Sequence, residues 1–280
     1  MLRPGKWRPA RSLAWMVAMV FAIVLSFGPS TEALAHALPA QPVFGFLAKA
    51  FGALIIFGAY VLLVRVGEGR WPSELSLRSA PTGIMAGLLI GAAMFTVVMA
   101  AAWVGGVYHF DYHGLVTAWR GAGLALESGV LEEVIVRGVV LRLVWRASSP
   151  TTAFVVSGLL FGAGHFANPG ATLLTTACVA IEAGVMLGAF YALTGRLWVS
   201  IGVHSGWNFT QGYLFGAQVS GGNFGDSLAT TSPNENLPDW LTGGTFGPEA
   251  SVIAFAMCSA VGAVVLWLAW RAGRFSGNPA

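Results

Sequence analysis

The chain of 280 residues is 56% hydrophobic and 10% charged, with a net charge of +3 and a mean hydropathy of +0.71. Soluble domains carry about 25% charged residues, so 15 basic and 12 acidic side chains cannot clothe a globule of this size, which argues against a soluble enzyme, a nucleic-acid binder and a disordered protein. Only two cysteines, Cys178 and Cys258, are present, both inside apolar runs; this argues against a disulfide framework and a four-cysteine zinc site.

Crossing a bilayer takes about 20 apolar residues. In chain order such runs lie at 13–28, 43–65, 82–106, 116–145, 151–167, 171–194, 197–216 and 249–270, predicting an all-α, polytopic bundle of eight spans. The fourth is longer than a span needs, and the fifth ends at the breaker Asn168-Pro169-Gly170. Arg3, Lys6, Arg8 and Arg11 precede the first run, and Arg65, Arg70 and Arg78 follow the second. Arg142 and Arg146 close the fourth, Arg196 the sixth, and Arg271 and Arg274 follow the eighth. All fall on one side of an eight-span layout, and the opposite loops (29–42, 107–114, 168–170 and 217–248) hold no Lys or Arg. The positive-inside rule then places both termini in the cytoplasm, in a cell membrane expected to be a bacterial inner membrane.

The first run also reads as a signal peptide, with Ala33-Leu34-Ala35-His36-Ala37 offering an Ala-x-Ala cleavage site; cleavage would leave seven spans. Residues 1–42 are thus a basic segment with a first span or signal peptide, and 43–280 a helical bundle. Within that bundle the Gly-, Ser-, Thr- and Asn-rich loop 217–248 is expected to be flexible and external, with Glu249 at the mouth of the eighth span.

An ionised side chain at the centre of a span costs about 2.5–3.5 kcal/mol, so polar residues that persist there are functional candidates. They are Lys49, Arg120, Glu127, Glu132, Glu133, Arg137, His165, Glu182, His204 and Asn208. Lys49 and Arg120 lie near external ends and are expected to snorkel. Glu133 and Arg137, four apart with the acid first, suit a helical ion pair. Glu132 is rotated about 100° from Glu133, away from that arginine, and is left free. A purely structural Glu-Glu-Arg network is the other reading of this cluster. His165 follows Phe161 by one turn, while His204 and Asn208 share a face at i, i+4. Facing helices can bring such residues together in a bundle core. Glu127 and Glu182 read as hydrogen-bonded packing residues, with Arg120 or a histidine as partner for Glu182.

Glu-Glu-x-x-x-Arg at 132–137, Phe-x-x-x-His at 161–165 and His-x-x-x-Asn at 204–208 resemble, in that order, the three motifs of the CPBP (Abi/CAAX-protease) family of intramembrane proteases, which includes the Ras-converting CAAX endopeptidases. The resemblance covers about residues 120–215. It implies an intramembrane endopeptidase acting on a membrane-anchored or lipid-modified, CAAX-like protein, with no nucleic-acid partner. By the same resemblance Glu132 and His165 would activate water, His204 and Asn208 would stabilise the oxyanion, and Glu133, Arg137 and Phe161 would give structural support. Members of the family are described both as metalloproteases and as metal-free glutamate-type proteases.

If a zinc ion were held, Glu132, His165 and His204 would be its ligands. The His-Glu-x-x-His helix motif is absent, and using Glu132 as a ligand leaves only Glu133, engaged by Arg137, as a base. The metal-free mechanism is therefore favoured, with no cofactor. Two other readings use the same residues: a non-catalytic immunity or scaffold protein binding a membrane peptide, and a proton-coupled transporter. Visible inverted repeats would support the transporter, and none is seen. One tension remains at this level. Counting inward from the basic ends places His204 about 10 Å deep but Glu132 and His165 about 20 Å deep.

Overall fold

A computed structural model describes residues 5–277, so Arg3 lies outside the described residues. Each of the eight apolar runs is helical. Helix α1 (Arg8–Ala37) enters with a proline in its first turn. α2 (Pro42–Leu63) does likewise and continues as a π turn, Val64–Glu68, that Gly69 ends at φ 71°. α3 (Ala80–Val104) follows two short 3-10 turns. α4 (Trp119–Glu133) passes without a break into a π-helical stretch, Val134–Leu141, and then into α5 (Arg142–Ala147).

Ser149 caps α6 (Pro150–His165) by accepting from the Thr152 amide at 3.1 Å. Thr172 and Thr175 form a capping box on α7 (Leu173–Thr194). These side chains satisfy amides that a helix start leaves orphaned. α8 (Leu197–Phe209) continues as a π turn to Leu214, and α9 (Asp239–Thr242) is a single turn before α10 (Val252–Arg271).

Among the described residues five segments are long and apolar enough to cross a membrane: Arg8–Ala37, Pro42–Glu68, Ser73–Val104, Leu173–Thr194 and Val252–Arg271. They make the chain an integral membrane protein. These five do not confirm the expected count of eight, since they are selected by length and composition alone. α6 and α8, at 16 and 13 residues, fall short of the about 20 that a span needs, and the α4–α5 run carries the buried ionic residues.

The all-α expectation also needs one correction. Strands β1 (Tyr108–Tyr112) and β2 (Ala229–Pro233) pair antiparallel, Tyr108 opposite Pro233 and Tyr112 opposite Ala229. The pairing ties the loop after α3 to the 217–248 loop, which is not a free strand of chain. Phe246 and Ala250 are buried, the Gly221 amide donates to the Phe246 carbonyl at 2.7 Å, and the buried Tyr108 hydroxyl donates to the Thr242 carbonyl. Glycine serves tight turns here rather than mobility. Gly221 sits at φ 77°, where a Cβ would lie 2.0 Å from the Pro169 carbonyl oxygen, a position that only glycine tolerates.

Two contacts position the centre of the bundle. The first is α8 on α3, where glycines let the backbones touch. A Cβ on Gly91 would come within 2.1 Å of the Val203 carbonyl oxygen, and one on Gly206 within 2.4 Å of the Leu88 carbonyl oxygen. Small residues at helix interfaces permit such approach inside membranes. Gly91→Ala is expected to force α8 away from α3 and lower stability by about 1–3 kcal/mol, as overpacking does. Thermal unfolding in detergent checks this against Gly45→Ala, where a Cβ meets nothing within 4 Å; equal melting of the two variants would refute it.

The second contact is an ionic knot at the basic end. Arg142 is fully buried and grips both oxygens of Glu68 at 2.6 and 2.7 Å, while Arg70 grips both oxygens of Glu74 at 2.7 and 2.8 Å. Tyr60 donates to Glu74, and the Arg142 Nε donates to the Gly138 carbonyl at 2.7 Å. Charge position alone marks Arg142 as a cytoplasmic cation, and it is instead a bidentate partner inside the protein.

Candidate active site

Glu132 and Glu133 stand at the last turn of α4, where the helix widens into its π-helical stretch. Insertions of this kind are frequent at functional sites. Glu133 is fully buried, and its Oε1 accepts from Arg137 Nη1 at 2.7 Å, as the spacing predicts. Arg137, also fully buried, donates through Nη2 to the carbonyls of Ala183 and Gly184 on α7 and lies 4.9 Å over the Phe161 ring. One guanidinium therefore joins α4, α6 and α7, and Phe161 serves as its platform.

The two histidines are each fixed at Nδ1. His165 Nδ1 lies 2.9 Å from the Phe161 carbonyl oxygen, and His204 Nδ1 lies 3.1 Å from Glu133 Oε1. A carbonyl only accepts, and a carboxylate already receiving an arginine accepts again, so both imidazoles carry hydrogen on Nδ1. Both Nε2 atoms then face Glu132. Its Oε2 lies 3.9 Å from His165 Nε2 and 3.8 Å from His204 Nε2, is buried, and has no hydrogen-bond partner. Such separations exceed a direct hydrogen bond and suit a bridging water. The role of Glu133 in holding His204 is not evident from spacing alone.

Asn208 shares the His204 face and donates through Nδ2 to Ser128 Oγ at 3.0 Å, one turn before Glu132. Phe161, His165, His204 and Asn208 all line one cavity of about 50 Å³, room for a few water molecules. The structure thus brings Glu132, His165 and His204 together, with Asn208 beside them and Glu133, Arg137 and Phe161 behind.

At the start of α8 Leu197 is fully buried, and Arg196 Nη1 and Trp198 Nε1 donate to the carbonyls of Ser73 and Ser76 at 2.8 and 2.9 Å, so the stretch before α3 covers this end of the helix. A count at α-helical rise misjudges the π-helical stretch between α4 and α5.

Three further expectations change. Lys49 does not snorkel alone but pairs with Glu127 from α2 to α4. Arg120 is exposed and packs beside Gly225, so it is not the partner of Glu182. Glu182 is buried in the wall of the cavity, and its Oε1 has no hydrogen-bond partner. Glu249, unremarkable in sequence beyond its place at the mouth of a span, reaches the same cavity and accepts from the Ser220 amide and hydroxyl at 2.9 and 2.7 Å.

A family-implied zinc is tested by donor geometry. Bonds of about 2.0–2.2 Å to nitrogen and oxygen place tetrahedral donors about 3.3–3.6 Å apart, closer than Glu132 stands to either histidine. Among the described residues no three His, Cys, Asp or Glu side chains are placed to hold a metal ion. The residues as arranged do not form a ligand set.

The family model described as Rce1-like, type II CAAX prenyl endopeptidase Rce1-like, matches residues 114–210. That range contains all three motifs, from Glu132 to Asn208. No curated protein and no solved structure matches the chain.

Proposed function

We propose, from the premise that residues 114–210 are a domain of the CAAX-protease family, that the protein is an intramembrane endopeptidase cutting a membrane-anchored or lipid-modified protein. The observation that carries this reading is the unpartnered Glu132 Oε2 facing the Nε2 atoms of both histidines. In the proposed mechanism a water bridges these three atoms. Glu132, aided by His165, takes a proton from it as the water oxygen bonds to the scissile carbonyl carbon, and the carbonyl electrons move onto oxygen. His204, braced on Glu133 and charged during turnover, donates to that oxyanion together with Asn208. Preorganised donors in a water-poor site contribute most of their worth at this point. The C–N bond then breaks, and the proton held by Glu132 passes to the departing amine. The protein is proposed to work in a bacterial inner membrane with both termini cytoplasmic, without a metal.

The test is cleavage of membrane-anchored peptides, including a farnesylated CAAX peptide, by the full-length protein in liposomes, with and without a zinc chelator. Cleavage that ignores the chelator supports the proposal. Loss with chelator and recovery with zinc would move Glu132, His165 and His204 into ligand roles. Tight peptide binding without cleavage would favour the non-catalytic reading. Asn208→Ala is expected to lower kcat by about 10²–10³-fold, the usual loss for an oxyanion donor, with little change in KM; an unchanged kcat removes Asn208 from that role.

A further inference from the structure

The cavity has an acidic wall that the proposed chemistry does not use. Glu182 of α7 is 4% exposed with an unpartnered Oε1, and Glu249, before α10, is 6% exposed. Both line the cavity that His165 and His204 also line. Among the described residues the arginine at the site, Arg137, is committed to Glu133 and to carbonyls of α7. Two further carboxylates facing one small, water-poor space with no arginine or lysine of their own are costly, because buried charges need a partner, and the two histidines beside them are engaged by the Phe161 carbonyl and Glu133. Glu249 has part of its need met by Ser220, whereas no hydrogen bond reaches Glu182 Oε1. The same cavity is also lined by the apolar side chains of Val179, Met186, Val203 and Trp207.

A cavity that combines apolar walls with acidic oxygens matches a side chain with a methylene stem and a positive head. We infer that this part of the cavity is a specificity subsite for a basic, lysine-type side chain of the substrate, its stem against Val179, Met186 and Trp207 and its ammonium between Glu182 and Glu249. The inference rests on the site taking a peptide, and it names the residue that the peptide presents there. An ammonium in that place gives Glu182 Oε1 the donor it lacks. It also sets a lysine within the cavity that His165, His204 and Asn208 line, so recognition and positioning come from one contact. Glu182 and Glu249 act on specificity and not on the proton transfers.

The experiment measures binding apart from turnover. Lipid-anchored fluorescent peptides with a single Lys, norleucine or Glu moved along the chain are titrated into full-length wild type, Glu182→Gln and Glu249→Gln in nanodiscs, and anisotropy is read. At one position Lys should bind at least about tenfold tighter than norleucine, the scale of a charge-assisted hydrogen bond, and Glu should bind weakest. In Glu182→Gln that Lys-to-norleucine ratio should fall to within about twofold to threefold. Taking the ratio within each protein cancels general damage, the wild-type comparison needs no variant, and Glu249→Gln gives a second test if Glu182→Gln does not fold. No Lys advantage at any position, or one unchanged in both variants, overturns the subsite. Cleavage of the same peptides is scored separately: a Lys advantage without cleavage keeps the subsite and removes the protease reading, and cleavage without a Lys advantage does the reverse.

Discussion

Glu132→Gln is expected to lower kcat/KM by about 10²–10⁴-fold, the range for losing a positioned general base, while the protein melts as the wild type does. The amide keeps the shape of the side chain but cannot take a proton from water. Stability should hold within about 0.5 kcal/mol, since Glu132 Oε2 has no partner to lose and the side chain is 30% exposed. Activity lost with stability intact marks a group that acts on the substrate. Activity and melting temperature falling together would return Glu132 to the structural network, and undiminished cleavage would remove it from the chemistry altogether.

Arg137→Met is expected to destabilise the protein by about 3–5 kcal/mol, the cost of leaving one member of a buried ion pair alone. Glu133 would keep its charge in a fully buried place, and the carbonyls of Ala183 and Gly184 would lose their donor. Adding Glu133→Gln should recover part of that loss, because removing both members of a buried pair is often close to neutral. The double variant should still cleave poorly, since His204 Nδ1 no longer meets a carboxylate. Melting temperature and kcat measured on the two single variants and the double variant check this. Additive losses would show that Glu133 and Arg137 do not act as a pair.

Much of this was legible in the sequence, and the gaps have physical causes. Helix positions follow from apolar runs and local breakers, so all eight runs recur as helices and Asn168-Pro169-Gly170 indeed follows the end of α6. The i, i+4 pair of Glu133 with Arg137 is a property of one helix and needs no tertiary knowledge. Contacts between helices are different. The hold of Glu133 on His204 spans 71 residues, and the pairing of Lys49 with Glu127 spans 78; no local spacing encodes either. Loop 217–248 was misjudged because glycine reads equally as slack and as the residue of tight turns. Glu68 and Glu74 gave no warning either, since an acid near a basic membrane face resembles any solvated charge until its arginine is located.

α8 has no exposed residue between Leu197 and Phe209, and its glycines press it onto α3. A helix so enclosed meets no lipid tail, so the thickness and fluidity of the bilayer have no handle on where His204 and Asn208 stand. Lipid composition can then govern how readily an anchored polypeptide arrives and leaves, but hardly the rate of bond breaking once it is seated. Membranes of short and long acyl chains should accordingly alter KM far more than kcat.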